Sequence, residues 1–230
     1  MKIQNVPQNY LGIWQRTLLK QADMVDESSY VLWLQTQQYH VDIRIPAHRP
    51  IFNSINQLED CSLEQLSWLA TQQGFSGITQ IKDNTSEWIR DHDFQPFNGQ
   101  RDIGEMKFEN DNILMESGID TDYLERWERV ANSHLNLSVK QIVGENRHAK
   151  KVRARLFTAN RMFAFVRPRD KPLPNAANML AAVEDFQPSK ELLLDWLDFE
   201  ISFGEIADEQ HGYVTHSTFP FKEGNKVKFM

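Results

Sequence analysis

Strand-type runs follow one another along almost the whole chain, and the first opens on Gly12-Ile13-Trp14-Gln15-Arg16. Side chains on a strand alternate between two faces, so a chain built of such runs must give each one a buried side and a wet side. Antiparallel sandwiches and barrels meet that demand, and closure into a barrel also removes the open edges that invite aggregation. A first-strand tryptophan in a small antiparallel barrel commonly plugs one end, and Trp14 is expected to do so. Runs fall at 11–19, 30–36, 39–46, 75–82, 86–94, 102–109, 112–117 and 121–130, then at 137–144, 151–158, 161–168, 198–206, 213–219 and 226–229.

Tight joins at Asp83-Asn84, Asn110-Asp111-Asn112 and Ala159-Asn160 favour antiparallel neighbours. DYLERWERVAN reads as a strand because it continues the preceding ladder, with Tyr123, Glu125, Trp127 and Arg129 on one face; a helix would instead pair Tyr123 with Trp127. Three segments break the strand rhythm. From Ser62 to Gly74, a Ser62–Gln65 capping box, a glycine stop and a Leu63, Leu66, Leu69 stripe predict a helix lying against a barrel mouth. A second helix is expected from Asn175 to Phe186, and a third starts at Ser189 and passes into a strand near Trp196. The best boundary lies at Ala131–Leu135, dividing the chain into 1–130 and 131–230.

Taken in order, YLGIWQRTLL, VLWLQT, YHVDIRIP, GFSGIT, EWIRDHDFQP, EISFG and STFPFKEG resemble the Hri-type group, first named in yeast for interaction with a casein kinase and found also in bacteria. The resemblance runs from about Leu11 to Gly224. It implies an all-β fold with a few short helices, arranged as two tandem antiparallel lipocalin-like (calycin-type) barrels over 1–130 and 131–230. It implies no assigned enzymatic activity and carries over no catalytic residue.

Candidate sites come from the alternation. Arg16 shares a face with Gly12, Trp14 and Leu18, where it either caps the indole or meets a buried carboxylate. His40, Asp42 and Arg44 share a face opposite Tyr39, Val41, Ile43 and Ile45. That polar set is an outward face with Asp42–Arg44 pairing, a floor for a small anion, or (for His40 and Asp42) two metal ligands. A divalent ion would need further ligands, with Asp91-His92-Asp93, Asp102 and Glu116 as the nearest stocks. Trp88, Arg90 and His92 alternate against Glu87, Ile89, Asp91 and Asp93, on a rim or lining a polar cavity for an acidic or aromatic molecule. Glu200 is a natural partner for Arg167 if their strands are neighbours. His216 invites a haem reading, but no haem surroundings are identifiable. No metal or cofactor is expected.

The run Arg147 to Arg155 concentrates positive charge, which suits phosphate binding or a solvated loop; stacking aromatics are missing from it. A net charge of −7 argues against nucleic-acid or anionic-membrane partners. The single cysteine, Cys61, cannot form an internal disulfide. MKIQNVPQNY has no apolar leader core, and no 18-residue apolar run occurs, so a soluble cytoplasmic protein is expected. No Gly-rich phosphate loop, Gly-x-Ser-x-Gly elbow or His-Glu-x-x-His is present. The expected function is non-enzymatic binding of a small apolar or amphipathic ligand, with Arg16, Asp42, Arg44, Trp88, Arg90 and His92 as candidate contacts. Two alternatives stay open: a protein-interaction scaffold with filled barrels, and a hydrolase or isomerase using a polar cavity near His40 or His92.

Overall fold

The computed structural model describes residues 4–229. β1 (Gly12–Gln21) turns back into the short β2 (Met24–Asp26) and pairs with β3 (Tyr30–Gln35). β4 (Tyr39–Ile45), β5 (Gln73–Lys82), β6 (Thr85–Asp93), β7 (Ile103–Asn110), β8 (Ile113–Gly118) and β9 (Leu124–Arg129) follow, each antiparallel to the one before. β9 returns to β1, with Trp14 opposite Arg129 and Arg16 opposite Trp127. Of nine strands, all but β2 thus take part in a closed barrel. β2 is the one strand without a counterpart in the sequence pattern.

A second sheet of six strands contains β10 (Ser138–Glu145), β11 (Lys151–Ala159), β12 (Met162–Arg167), β13 (Glu200–Ile206), β14 (His211–Ser217) and β15 (Lys226–Lys228). The barrel-type all-β fold is therefore present. This second sheet is a curled half-barrel, because no β10–β15 pairing closes it among the described residues. β15 is only three residues long, against eight in β10, and pairs with β14 alone. Between β12 and β13 the chain makes α2 (Met179–Phe186) and α3 (Lys190–Leu197), capped by Asn178 and Ser189.

The two sheets share one core. Ile13, Leu32, Leu34, Val41, Ile43 and Ile45 point out of the barrel and are buried because Phe157, Ala164, Val166, Ile201 and Phe203 lie on them. β3 and β4 are thus covered on both faces. That leaves the inward Asp42 in the barrel interior, where the alternative of an outward polar face does not hold. α1 (Leu63–Leu69) begins at the expected Ser62–Gln65 capping box. Its Leu66 and Leu69 enter this shared core, Leu63 is exposed, and only Ala70 and Thr71 beyond it reach the barrel mouth. Gly74 is not its stop. That residue lies in β5, where a Cβ would come within 3.0 Å of the Asp42 carbonyl oxygen.

Two β-bulges decide which side chains reach the interior. The β1–β9 register slips at Thr17, so Leu19 and not Leu18 follows Arg16 inward, opposite Glu125. The β5–β6 register slips at Asp91, so Gly77 faces Arg90 while Ser76 faces His92.

Candidate functional site

One end of the barrel is filled with indoles. The Trp33 ring centroid lies 6.3 Å from that of Trp14, 5.6 Å from Trp88 and 5.8 Å from Trp127. Trp14 donates its Nε1–H to the Tyr10 carbonyl at 2.8 Å, and the Arg129 guanidinium sits 4.4 Å over its ring. The cation against Trp14 is therefore Arg129, while Arg16 is directed to carboxylates.

Above the indoles lies a charged layer. Arg16 donates Nη1 to Glu125 Oε1 at 2.7 Å and Nη2 to Asp26 Oδ2 at 2.8 Å. Arg44 donates Nε to Asp42 Oδ1 at 2.9 Å and Nη1 to Glu125 Oε1 at 3.4 Å. Tyr123 donates its hydroxyl to Glu116 Oε1 at 2.6 Å, and Trp127 donates Nε1–H to Glu116 Oε2 at 3.0 Å. Arg90 reaches over from β6, donating to Asp93 at 2.8 Å and stacking 3.6 Å over Phe75, with two further bonds to Asp102 Oδ2. Glu125 is 2% exposed, and its Oε2 has no hydrogen-bond partner.

Burial and the neighbouring Glu125 hold the Glu116 carboxyl well above the usual carboxylate range. Burial also pushes Asp42 up, against the pull of Arg44. For Arg44, burial works against the charge, but Asp42 and Glu125 outweigh it and hold the guanidinium protonated.

Of the residues expected from sequence, Arg16, Asp42 and Arg44 meet in this layer, with Trp88 below it and Arg90 at its edge. His40 and His92 do not join them. His40 lies toward the indole-filled end, bonded through Nδ1 to Thr79 Oγ1 at 3.0 Å; burial lowers its pKa well below the ordinary value, so it is neutral and away from Asp42. The bulge at Asp91 turns His92 to the outside, beside Pro168 and Arg169 at a separate cavity of about 290 Å³. The shared face expected for Trp88, Arg90 and His92 is broken there. Sequence reasoning did not pair Glu116 with Glu125; the signal was their inward parity in ILMES and YLERW.

The charged layer floors a cavity of about 440 Å³, walled by Arg16, Asp26, Arg44, Asp102, Tyr123 and Glu125. Thr71, Gln73, Gln100, Asp102 and Thr121 also wall a neighbouring groove of about 750 Å³, so the two adjoin. The groove adds Ile89, Phe97 and Leu180, each at least 39% exposed.

Elsewhere, His148, Glu191 and Asp195 offer ligand atoms within 4.8 Å of one another, but Arg147 Nη1 already bonds all three and supplies the positive charge. The basic run presents no continuous basic face. Arg147 is sunk among Glu59, Glu191 and Asp195, while Lys150, Lys151 and Arg155 pair with Asp170, Glu145 and Asp91. In the second sheet the expected pair forms: Arg167 and Glu200 are in register, Nε to Oε2 at 3.6 Å, with Asp198 and Lys222 completing the network. His216 stacks on Tyr30 at 3.6 Å and joins the two sheets.

No family model and no curated protein matches this chain. A solved structure of an uncharacterized protein from Bacteroides eggerthii DSM 20697 aligns over 53% of this chain and 99% of its own, at 10% identity and a TM-score of 0.34. A likeness that distant says nothing of function. Among the described residues, no helix is long and apolar enough to cross a membrane.

Proposed function

We propose that this chain is a non-enzymatic, lipocalin-like binding protein whose ligand is a small amphipathic molecule held at the barrel mouth. One observation carries this: a polar cavity of about 440 Å³ adjoins a groove flanked by exposed Ile89, Phe97 and Leu180. Volumes of this order suit small-molecule sites, where a few placed polar groups set orientation and apolar walls supply affinity. A wholly apolar ligand would find little room, since the barrel below the charged layer is occupied by indoles. That filled interior favours the second reading, a protein-interaction scaffold. Membership of the Hri-type group is proposed on the ordered motifs. Cytoplasmic residence is proposed on Cys61, an unpaired thiol that burial pushes up to about 11.

Native mass spectrometry of the chain purified from its own host tests the binding reading. The expected result is a reproducible small-molecule adduct that is lost in a Leu180→Glu, Phe97→Glu variant. A chain free of adduct, or one that keeps it in the variant, overturns it.

A further inference from the structure

The charges at the mouth are arranged so that one sign of ligand is welcome and the other is not. In the charged layer every terminal guanidinium nitrogen already donates to a carboxylate: Arg16 to Glu125 and Asp26, Arg44 to Glu125 and Asp42, Arg90 to Asp93 and Asp102; Arg101, farther out on the groove, gives its Nε to Glu87. An arriving anion would have to displace one of these carboxylates and leave it stranded.

The acceptors are not used up in the same way. Glu125 lines the cavity, is buried, and keeps Oε2 without a donor. At Asp102, which walls both cavity and groove, the two bonds from Arg90 converge on Oδ2. Charge balance points the same way. Over cavity and groove together, and leaving aside Asp91, which Arg155 holds, the five carboxylates Asp26, Glu87, Asp93, Asp102 and Glu125 outnumber the four guanidinium groups of Arg16, Arg44, Arg90 and Arg101. An unpaired buried acceptor is costly, and a charged donor satisfies it best.

We propose that the mouth selects a positively charged nitrogen: a primary or secondary ammonium, seated between Glu125 and Asp102, whose apolar tail lies along Ile89, Phe97 and Leu180. This rests on the binding reading above and adds the charge of the head group. A quaternary ammonium is excluded from the best contacts because it has no N–H to give either carboxylate.

Calorimetric titration of the intact chain at pH 7 with octylammonium, octanoate and 1-octanol separates the two levels. The expected result is octylammonium binding at least tenfold tighter than either of the others, about 1.4 kcal/mol, and weakening as salt is raised. Glu125→Gln should abolish that preference. Because loss of Glu125 also strips a partner from Arg16, Asp102→Asn serves as the second variant: it leaves Arg16 and Arg44 with their partners, keeps an acceptor oxygen for Arg90, and should weaken octylammonium several-fold without changing 1-octanol binding. If all three probes bind alike, the groove stands and the charge selection is wrong. If octanoate binds tightest, the selection is reversed and likewise wrong. If none binds, the binding reading falls and this inference with it.

Discussion

Glu116 on β8 and Glu125 on β9 stand opposite each other in register, both buried in the barrel interior. Two carboxylates so placed cannot both ionise without mutual repulsion in a poorly solvated space. Glu125 is held by Arg16 and Arg44, whereas Glu116 meets only the neutral donors Tyr123 and Trp127. The proton therefore belongs to Glu116.

That asymmetry makes stability depend on pH with a definite sign. The unfolded chain loses the Glu116 proton near pH 4.3, while the folded chain keeps it to higher pH. The folded state then binds more protons, so stability falls as pH rises from about 4.3 toward the raised folded value. Glu116→Gln removes this slope. The amide oxygen accepts from Trp127, the amide N–H donates to the Tyr123 hydroxyl, and stability at pH 7 should rise relative to the native chain while staying level at pH 4. Urea unfolding of both proteins from pH 4 to pH 8 checks it; parallel pH profiles would mean Glu116 is ionised in the fold. Asp42, also raised, leaves a shallower slope in the variant.

Arg16 is the cation that neutralises Glu125, at 2.7 Å with both side chains almost wholly buried. Arg16→Met should cost about 3–5 kcal/mol, since it strands a buried charge. Adding Glu125→Leu should recover part of that loss, because the pair's absence is milder than half its presence. A double-mutant cycle by chemical denaturation measures the coupling, and a coupling below about 0.5 kcal/mol would show that Arg44 alone suffices for Glu125.

Trp14 occupies the sealed end, fully buried against Trp33, with Tyr10 on its indole nitrogen and Arg129 over its face. Trp14→Ala should lower stability by about 3–5 kcal/mol. An unchanged melting profile would show the surrounding rings collapse into the space.

How much of this was legible in the sequence depends on the kind of order involved. Period-two alternation put Arg16 on the face of Trp14 and grouped Asp42 with Arg44 on one face without deciding whether that face was inward, and the Ser62–Gln65 capping box marked the start of α1. Arg167 and Glu200 could be paired because adjacent strands in a meander are neighbours. Alternation fails at a bulge, and nothing in EWIRDHDFQPF announces the extra residue at Asp91 that sends His92 outside. Closure was legible for the first sheet but not the open state of the second, because pairing between β10 and β15 depends on curvature that no local pattern encodes. The facing of Glu116 and Glu125 needed the β8–β9 register. The basic run was read as a linear feature, whereas its partners Glu59, Asp91, Asp170 and Asp195 come from distant segments.

That run contains two kinds of cation. Lys150 and Lys151 are about 60% exposed, and such pairs contribute little. Lys150→Glu with Lys151→Glu should change stability by less than about 1 kcal/mol. Arg147 is 7% exposed on its side chain and ties Glu59, beside the barrel, to α3. Arg147→Ala should cost about 2 kcal/mol, less than the 3–5 kcal/mol of a fully buried pair, since Glu191 stays in water. Thermal melts of both variants decide it; equal losses would make the run uniform in role.

The shared core makes a prediction about the two sheets together. Ile13, Leu32, Leu34, Val41, Ile43 and Ile45 are at most 6% exposed in a core that the second sheet completes together with Phe52, Leu58 and α1. A chain ending at residue 130 would bare the part of this apolar face that the second sheet covers, a patch of the kind soluble monomers rarely expose. Residues 1–130 alone should therefore aggregate or bind a hydrophobic dye strongly, although the barrel's own strand pairing is complete. In the intact chain, loss of either sheet exposes the core of the other, so both should unfold in one transition. In a Trp68→Phe, Trp196→Phe variant, the four remaining tryptophans, Trp14, Trp33, Trp88 and Trp127, report on the barrel through fluorescence, while circular dichroism reports on both sheets. Coincident urea transitions by the two probes are expected; a fluorescence transition separated from the dichroism transition would show that the barrel stands without its cover.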